Sequence, residues 1–108
     1  MTLSRGFGTH GLIPADTCTP TFVIHAKPFV DYSASSYKTG ISLITSGLRR
    51  STTCPISSHK TLNYLTNYLI KKEAVEKGVH DAIILNTNNH VAECAVSNIF
   101  LVEKDTVL

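Results

Sequence analysis

Apolar and polar residues follow one another along this chain in patterns that predict several β-strands and one long helix. The segment Thr21–Ala26 is a run of β-branched and aromatic residues, which favours a strand ending near Pro28. Residues 41–46 (ISLITS) alternate enough to predict a second strand. Residues 81–86 (DAIILN) are apolar on both faces, which is typical of a strand buried in the centre of a sheet.

The helix is predicted from about Thr61 to Lys77, because apolar residues there recur near the helical period. Ser57 or Ser58 is available as its N-cap, and Gly78 follows where a helix end favours a residue that can adopt positive φ. The lysine in the last turn suits the helix dipole. The apolar positions on this helix are Leu62, Leu65, Leu69 and Val75, with Tyr68 beside them.

The rest of the first half is predicted to be irregular. Residues 2–4 form a short β-favouring stub with no earlier element to pair with, and residues 5–14, rich in glycine, are predicted as loop. Residues 31–40 are polar and small, which predicts a connector, and residues 47–58 return to loop.

The second half is predicted to alternate short strands and turns. Residues 87–89 make a tight turn into a strand at residues 90–93, and residues 98–103 form a further strand. A turn at residues 104–105 follows, and the sequence stops on strand-like residues with no partner after them. Both ends therefore look cut, and we expect a segment of a larger protein.

The composition is that of an ordinary globular protein. An apolar fraction of 43% and a charged fraction of 17% in 108 residues suffice for one modest core. The net charge is +2 and the basic residues are scattered, which predicts no nucleic-acid binding. No apolar run reaches the roughly 18 residues of a membrane span, and the first residues lack the apolar core of a signal peptide. A reducing, cytoplasmic setting without membrane contact is predicted.

The potential metal ligands are dispersed along the chain. No two of them have the close spacing of structural zinc sites, so no protein-built metal site and no disulfide framework are predicted. These residues are Cys18, Cys54, Cys94, His10, His25, His59, His80 and His90.

Two charged residues stand where chemistry is possible. Lys60 lies at the start of the predicted helix, where its charge is mildly unfavourable against the helix dipole; it is either a solvated lysine or a Schiff-base amine. Glu93 ends a predicted strand after one intervening helix and one buried strand, so the chain can return it to the same site. Such an amine and carboxylate together could serve an aromatic cofactor, whereas a merely exposed glutamate would carry no function.

Three segments resemble a known family. Residues 59–65 (HKTLNYL) and 73–102 (EAVEKGVHDAIILNTNNHVAECAVSNIFLV) look like the signature region of the class IV aminotransferases, the pyridoxal-phosphate enzymes of fold type IV. Residues 3–12 (LSRGFGTHGL) resemble a segment near the end of that family's smaller domain. The family includes branched-chain and D-amino acid aminotransferases and aminodeoxychorismate lyase. The resemblance implies an α+β fold, with the end of the small domain at 1–28 and the first half of the large cofactor-binding domain at 29–108.

The resemblance also implies roles for individual residues. Lys60 would be the catalytic Schiff-base lysine that binds pyridoxal 5'-phosphate and then moves a proton on the substrate. Glu93 would keep the pyridine nitrogen of the cofactor protonated. Tyr64, four residues after Lys60 in the predicted helix, would touch the cofactor ring or simply fill the core. Ser97 and Asn98 would approach the cofactor phosphate, or Asn98 would only brace its turn.

Three further residues leave two readings each. Arg49 and Arg50 could approach a substrate carboxylate or the cofactor phosphate, or form a solvated loop pair. His59 could polarise the neighbouring lysine, but packing beside it is the favoured reading.

The chain also departs from the family pattern. Cys94 replaces a common glycine after the glutamate, as in some aminodeoxychorismate lyases, and an asparagine in residues 86–90 replaces a glycine in a left-handed conformation. The later phosphate-binding loop of the family has no counterpart within the sequence.

The predicted function is amino-group transfer between an amino acid and a 2-oxo acid. The alternatives are aminodeoxychorismate lyase activity, a catalytically dead remnant, and one half of a split enzyme. The expected partners are small-molecule amino and oxo acids, a second copy in a homodimer of the complete enzyme, and, for a split enzyme, a complementary chain fragment.

Overall fold

A computed structural model describes residues 1–8 and 11–108 and divides the chain into two compact units, Met1–Tyr32 and Ser33–Leu108. The division lies close to the predicted boundary between residues 28 and 29. The assignment of the two units to the end of a small domain and the first half of a large one stays a prediction.

The first unit is an antiparallel hairpin of β1 (Thr2–Phe7) and β2 (Thr19–Val23). The β-favouring character predicted for residues 2–4 is confirmed, and their partner is β2, which comes later in the sequence. The prediction of loop is wrong for residues 5–7, because pairing with β2 extends the strand to Phe7. The pairing register shifts between Ser4 and Phe7, and Gly6 there has a φ of 83°. A Cβ on Gly6 would lie 1.6 Å from the Thr19 carbonyl oxygen, so only glycine fits. The rest of the predicted loop includes Thr9 and His10, which lie outside the described residues.

The second unit contains a three-stranded sheet of β3 (Leu43–Arg50), β4 (Asp81–Asn86) and β5 (Val91–Cys94), and a helix, α2 (Leu65–Glu76), that packs on it. In the order β3-β4-β5, β3 and β4 are parallel and β5 is antiparallel to β4. A parallel pair requires a crossover connection, which here contains the longer helix, α2. The elements are α1 (Ala34–Thr39), β3 (Leu43–Arg50), α2 (Leu65–Glu76), β4 (Asp81–Asn86), β5 (Val91–Cys94), β6 (Val102–Glu103) and β7 (Thr106–Val107).

The core lies between α2 and the centre of this sheet. Its buried apolar side chains are small apart from two isoleucines, and the prediction of a buried central strand at residues 81–86 is confirmed. The cluster consists of Ile70 and Ala74 from α2, Ala82 and Ile84 from β4, and Ala95, with Ile44 and Val79 packed against it.

The longer helix starts later than predicted. Tyr64 is the N-cap of α2 and makes no side-chain capping bond, whereas Ser57 and Ser58 lie in a separate 3-10 turn, Pro55–Ser58. Local turns occupy the intervening residues: the Asn63 N–H donates to Thr61 Oγ1 at 3.3 Å. Such side-chain-to-backbone bonds compete with helix formation. The predicted helix end is confirmed, since Gly78 has a φ of 69° directly after the C-cap Lys77.

Two segments predicted as irregular are regular. The supposed connector contains α1, whose N-cap Ser33 accepts a hydrogen bond from the Ser36 N–H at 3.3 Å. The supposed loop after residue 46 continues β3, because Arg49 and Arg50 pair with residues of β4. Pairing with a strand distant in sequence extended β3 beyond its alternating segment.

The turns of the second half follow the sequence more closely. Asn89 has a φ of 64°, so an asparagine does take the left-handed conformation expected there. Lys104 and Asp105 form the predicted turn with positive φ, but the strand before it is only β6, and β6 is the partner of β7. The final strand, for which no partner was expected after it in the sequence, pairs with β6, which precedes it.

Glu73 joins α2 to the sheet. Its carboxylate accepts hydrogen bonds from the Lys77 ammonium at 2.9 Å and from the hydroxyl of the buried Ser46 at 2.8 Å. The Lys77 hydrogen bond, followed by that of Ser46, holds the pKa of Glu73 below its usual value. The ionised carboxylate therefore stabilises the fold above the ordinary glutamate pKa, and this contribution is lost as pH falls through the lowered pKa.

We expect acid unfolding to depend on Glu73. In Glu73→Gln the free energy of unfolding should fall less between pH 6 and the acid limit of the fold than in the unmodified chain. Urea titrations at several pH values, followed by circular dichroism, measure this dependence. Glu76→Gln on the same helix is the control, because Glu76 forms a long ion pair, 3.6 Å, with exposed Lys72. Equal slopes in all three proteins would contradict the prediction.

Three further observations concern residues 1–8 and 11–108. No helix among them is long and apolar enough to cross a membrane. No group of three histidine, cysteine, aspartate or glutamate side chains in this part of the chain could hold a metal ion. The cysteines are free: Cys18 and Cys54 are half-buried and Cys94 is buried.

Candidate cofactor site

A cavity of about 310 Å³ lies in the second unit, where the end of β3, the middle of β5 and the approach to α2 come together. Its volume is at the lower end of the range for small-molecule sites. The lining residues are mostly polar: Arg50, Ile56, Ser57, Ser58, His59, Lys60, Thr61, Asn63, Tyr64, Asn67 and Glu93.

The topology explains why these residues meet. Arg50 is the last residue of β3, and the chain then runs through the 3-10 turn to the start of α2. The end of β3 and the start of α2 therefore both line the cavity. Glu93 lies on β5, on the other side of β4, and its side chain meets that of Arg50. The sequence separation between Lys60 and Glu93 is thus bridged by α2 and β4, as expected.

Lys60 lines the cavity from an exposed loop. It precedes the first residue of α2 by five positions, so the predicted placement in the first helical turn is wrong. The helix dipole acts mainly within the terminal turns and does not account for the position of this lysine. Tyr64 does not share a helix face with Lys60 for the same reason, although both residues line the cavity. Within the described part of the chain, the Lys60 amine has no hydrogen-bond or ion-pair partner.

Glu93 faces the cavity in an ion pair. The Arg50 guanidinium donates from Nη2 to Glu93 Oε1, and the two side chains are 25% and 43% exposed. The same Nη2 donates to Asn67 Oδ1 at 3.2 Å, and the Asn67 amide donates to the Ala95 carbonyl oxygen at 2.8 Å. Among the described residues, Glu93 Oε2 accepts no hydrogen bond.

Asn67 is a site residue that the sequence reasoning missed. It follows Tyr64 by three positions, so on α2 it lies on the cavity side one turn later. A polar residue at that spacing from Tyr64 was the available signal, and the apolar periodicity of the helix concealed it.

The two adjacent arginines diverge. Arg49 donates to the Ser46 carbonyl oxygen and does not line the cavity, whereas Arg50 does. Neighbouring residues on a strand point to opposite faces of the sheet, which separates them. The predicted roles of Arg49 and Arg50 toward a substrate carboxylate stay predictions.

The remaining candidates hold different positions. Ser97 and Asn98 follow β5 and are not among the residues that line the cavity, so their role near a cofactor phosphate stays a prediction. His59 lines the cavity, and its ring Nδ1 lies 2.7 Å from the Pro55 carbonyl oxygen, to which it donates. This bond ties His59 to the 3-10 turn and agrees with its packing role.

Cys94 is next to Glu93 but is chemically quiet. Burial raises the pKa of the Cys94 thiol, and the negative charges of Asp81 and Glu93 raise it further. A thiol of raised pKa stays protonated at neutral pH and is a poor nucleophile. Of the two groups side by side in the sequence, Glu93 is the one available to a ligand.

These features fit the ring end of pyridoxal phosphate. Considering residues 1–8 and 11–108, the cavity offers one amine without a partner, one carboxylate with an oxygen that accepts no hydrogen bond, and the phenol ring of Tyr64 beside them. An amine for the aldehyde and an acceptor for the ring nitrogen are two of the groups that this cofactor requires.

Comparison with known proteins agrees with this geometry. The family model for amino-transferase class IV matches residues 1–108. The chain is 37% identical to branched-chain-amino-acid aminotransferase-like protein 2 of Arabidopsis thaliana, with all of this chain and 20% of that protein covered. It is 29% identical to the aminodeoxychorismate lyase of Vibrio harveyi, with 97% of this chain and 39% of that protein covered.

A solved structure has the same fold. It is that of a Legionella pneumophila protein assigned as a 4-amino-4-deoxychorismate lyase, with a TM-score of 0.68, 26% identity, and coverage of 97% of this chain and 37% of that one. The chain thus spans between a fifth and two fifths of the length of these relatives. Its α+β architecture is a partial domain of theirs, and the chain belongs to the class IV aminotransferase family.

Proposed function

We propose that the protein containing this chain is a pyridoxal-phosphate-dependent enzyme that transfers an amino group between an amino acid and a 2-oxo acid. The observation that carries this proposal is the cavity that both the Lys60 amine and the Glu93 carboxylate line. The relatives described as branched-chain aminotransferases, among them one of Salmonella typhimurium at 33% identity, support the reaction class.

When bound, pyridoxal phosphate supplies an aldehyde for amines and a ring that withdraws electrons from the substrate. Lys60 holds the cofactor through its amine and, once released, carries a proton between two carbon atoms as general base and acid. The free oxygen of Glu93 accepts the ring N–H and keeps that nitrogen protonated. Tyr64 orients the ring, and Ser97 and Asn98 are proposed to lie toward the phosphate.

A lyase is the second candidate. The likeness to the Vibrio harveyi aminodeoxychorismate lyase and to the Legionella pneumophila structure favours it, as does Cys94 after Glu93. The same lysine would then help expel pyruvate, with no amino acceptor consumed. Product analysis with and without an added 2-oxo acid separates the two reactions. An inactive remnant or one half of a split enzyme would bind no cofactor at Lys60 by itself.

The proposed partners follow from the reaction and the surface. Small amino and oxo acids are the substrates, and neither nucleic acid nor membrane is involved. α2 exposes Leu65, Tyr68 and Leu69, which supports cover from a second subunit of a homodimer or from a complementary fragment. A cytoplasmic setting remains the prediction from the composition.

Reductive trapping tests the proposed function. The purified chain is incubated with pyridoxal phosphate, reduced with borohydride, digested, and analysed by mass spectrometry. We expect the label on Lys60 rather than on the other lysines, because Lys60 is the one lysine that lines the cavity in the part of the chain that the structure describes. Lys71→Ala is the matched control that should leave labelling unchanged, since Lys71 lies on α2 outside the cavity lining and donates to the His80 carbonyl oxygen. Equal, weak labelling of Lys60, Lys71, Lys72 and Lys77 would overturn the proposal.

A further inference from the structure

The Arg50–Glu93 pair is part of a longer chain of hydrogen bonds. Arg50 Nη2 contacts both Glu93 Oε1 and Asn67 Oδ1, and the Asn67 amide group is anchored on the Ala95 carbonyl oxygen. These hydrogen bonds therefore join the end of β3, the first turn of α2 and the residue after β5. Its last member is the carboxylate that faces the cavity.

We propose that Arg50 and Asn67 are positioning residues, which hold one oxygen of Glu93 so that the other is directed at the ring nitrogen of the cofactor. This inference rests on the proposed function and assigns the two residues a task in it. Arg50 is then committed to Glu93 and is not the group that receives a substrate carboxylate.

The geometry supports different roles for the two oxygens of the Glu93 carboxylate. Glu93 Oε1 is engaged by Arg50, whereas Oε2 accepts no hydrogen bond among the described residues. A glutamate that is 43% exposed would otherwise sample several rotamers, and ordering it during binding would reduce affinity. Holding the rotamer beforehand removes that cost.

Positioning outweighs charge in this arrangement. A nearby guanidinium by itself disfavours protonation of a ring nitrogen, because two positive charges repel. Both side chains are partly exposed, so solvent and salt screen that repulsion. Arginine is suited to bridging Asn67 and Glu93 because its planar fork offers several donors in fixed directions, whereas a lysine ammonium is a point charge on a flexible stem.

The test compares two aldehydes that differ only at the ring nitrogen. Dissociation constants for pyridoxal phosphate and for its carbocyclic analogue, with CH in place of the nitrogen, are measured by absorbance titration. The proteins are the unmodified chain, Arg50→Met, Arg50→Lys and Arg49→Met. Arg49→Met is the matched control, since it removes the same charge from the adjacent position, outside the cavity lining. Circular dichroism verifies that each variant is folded.

We expect the unmodified chain and Arg49→Met to bind pyridoxal phosphate roughly tenfold more tightly than the analogue. Arg50→Met should lose most of this preference, and so should Arg50→Lys, which retains charge but not the fork. Asn67→Ala should lose part of it. A variant that merely loosened the fold would weaken both ligands equally and leave their ratio unchanged.

The outcomes separate this inference from the function beneath it. An unchanged or increased preference in folded Arg50→Met and Arg50→Lys overturns the positioning role while Lys60 labelling still stands. Weakening of both ligands by the same factor overturns it as well. If the unmodified chain shows neither the preference nor selective labelling of Lys60, the proposed function fails and the inference fails with it.

Discussion

Replacing Lys60 by alanine is expected to abolish selective cofactor labelling and to reduce amino-group transfer by the complete protein by at least about 10²–10⁴-fold. This range corresponds to the loss of a positioned acid–base group alone. Loss of covalent attachment adds to it, because no other lysine lines the cavity among the described residues. The measurement is transfer of the amino group to a 2-oxo acid, followed by chromatography of the amino acid formed.

The control for this substitution is Lys71→Ala. Lys71 also carries an exposed ammonium, but it contacts the His80 carbonyl oxygen and takes no part in the cavity. It should retain full transfer. Added methylamine should restore a small part of the activity of Lys60→Ala, because a free amine can carry the same proton. Full activity in Lys60→Ala would contradict the assignment of this lysine.

Replacing Ile84 by alanine is expected to lower the free energy of unfolding by about 2–5 kcal/mol. Ile84 is 1% exposed in the central strand and packs in a core whose other members include Ala74, Ala82 and Ala95. An alanine side chain is a single methyl group and cannot rotate into the space, so the cavity left behind would persist. Such a loss is a large fraction of the stability of a small domain.

Urea denaturation followed by circular dichroism measures this loss, and the shift in midpoint at constant slope gives the change in stability. Ile41→Ala is the matched control. Ile41 is 43% exposed, so the same chemical change there should cost well under half as much. We also expect Ile84→Ala to lower Lys60 labelling near its unfolding midpoint, since β4 lies between the strands that carry Arg50 and Glu93. Equal shifts in the two variants would contradict the assigned core.

The accuracy of the sequence-based predictions depended on the range of the forces involved. Residues 81–86 were identified as a buried strand because their apolar character on both faces is a local property. Gly78 was placed at a left-handed position, and an asparagine within residues 86–90 was expected to take another, because backbone sterics act within single residues. The start of α2, in contrast, was placed four residues early, since apolar periodicity continues through Leu62 into a segment whose backbone donors are used in turns.

The candidate site shows the same limits. The motif-like residues Lys60, Tyr64 and Glu93 were identified together, and the structure places them around one cavity. The engagement of Arg50 by Glu93 and the part played by Asn67 were not foreseen, because they depend on contacts between residues far apart in sequence. Ser97 and Asn98 lie close to Glu93 along the chain, yet they are not part of the cavity lining.

The sequence by itself determined the family and the central strand, because both depend on residue types and short spacings. Only the tertiary structure decided that β1 has a partner, that β3 extends to Arg50, and that Arg49 and Arg50 face different surroundings. Strand pairing and side-chain direction arise from contacts between distant segments, and local propensity contains no information about them. For that reason Lys60 could be recognised in the sequence, whereas the hydrogen-bonded support of Glu93 became visible only in the folded chain.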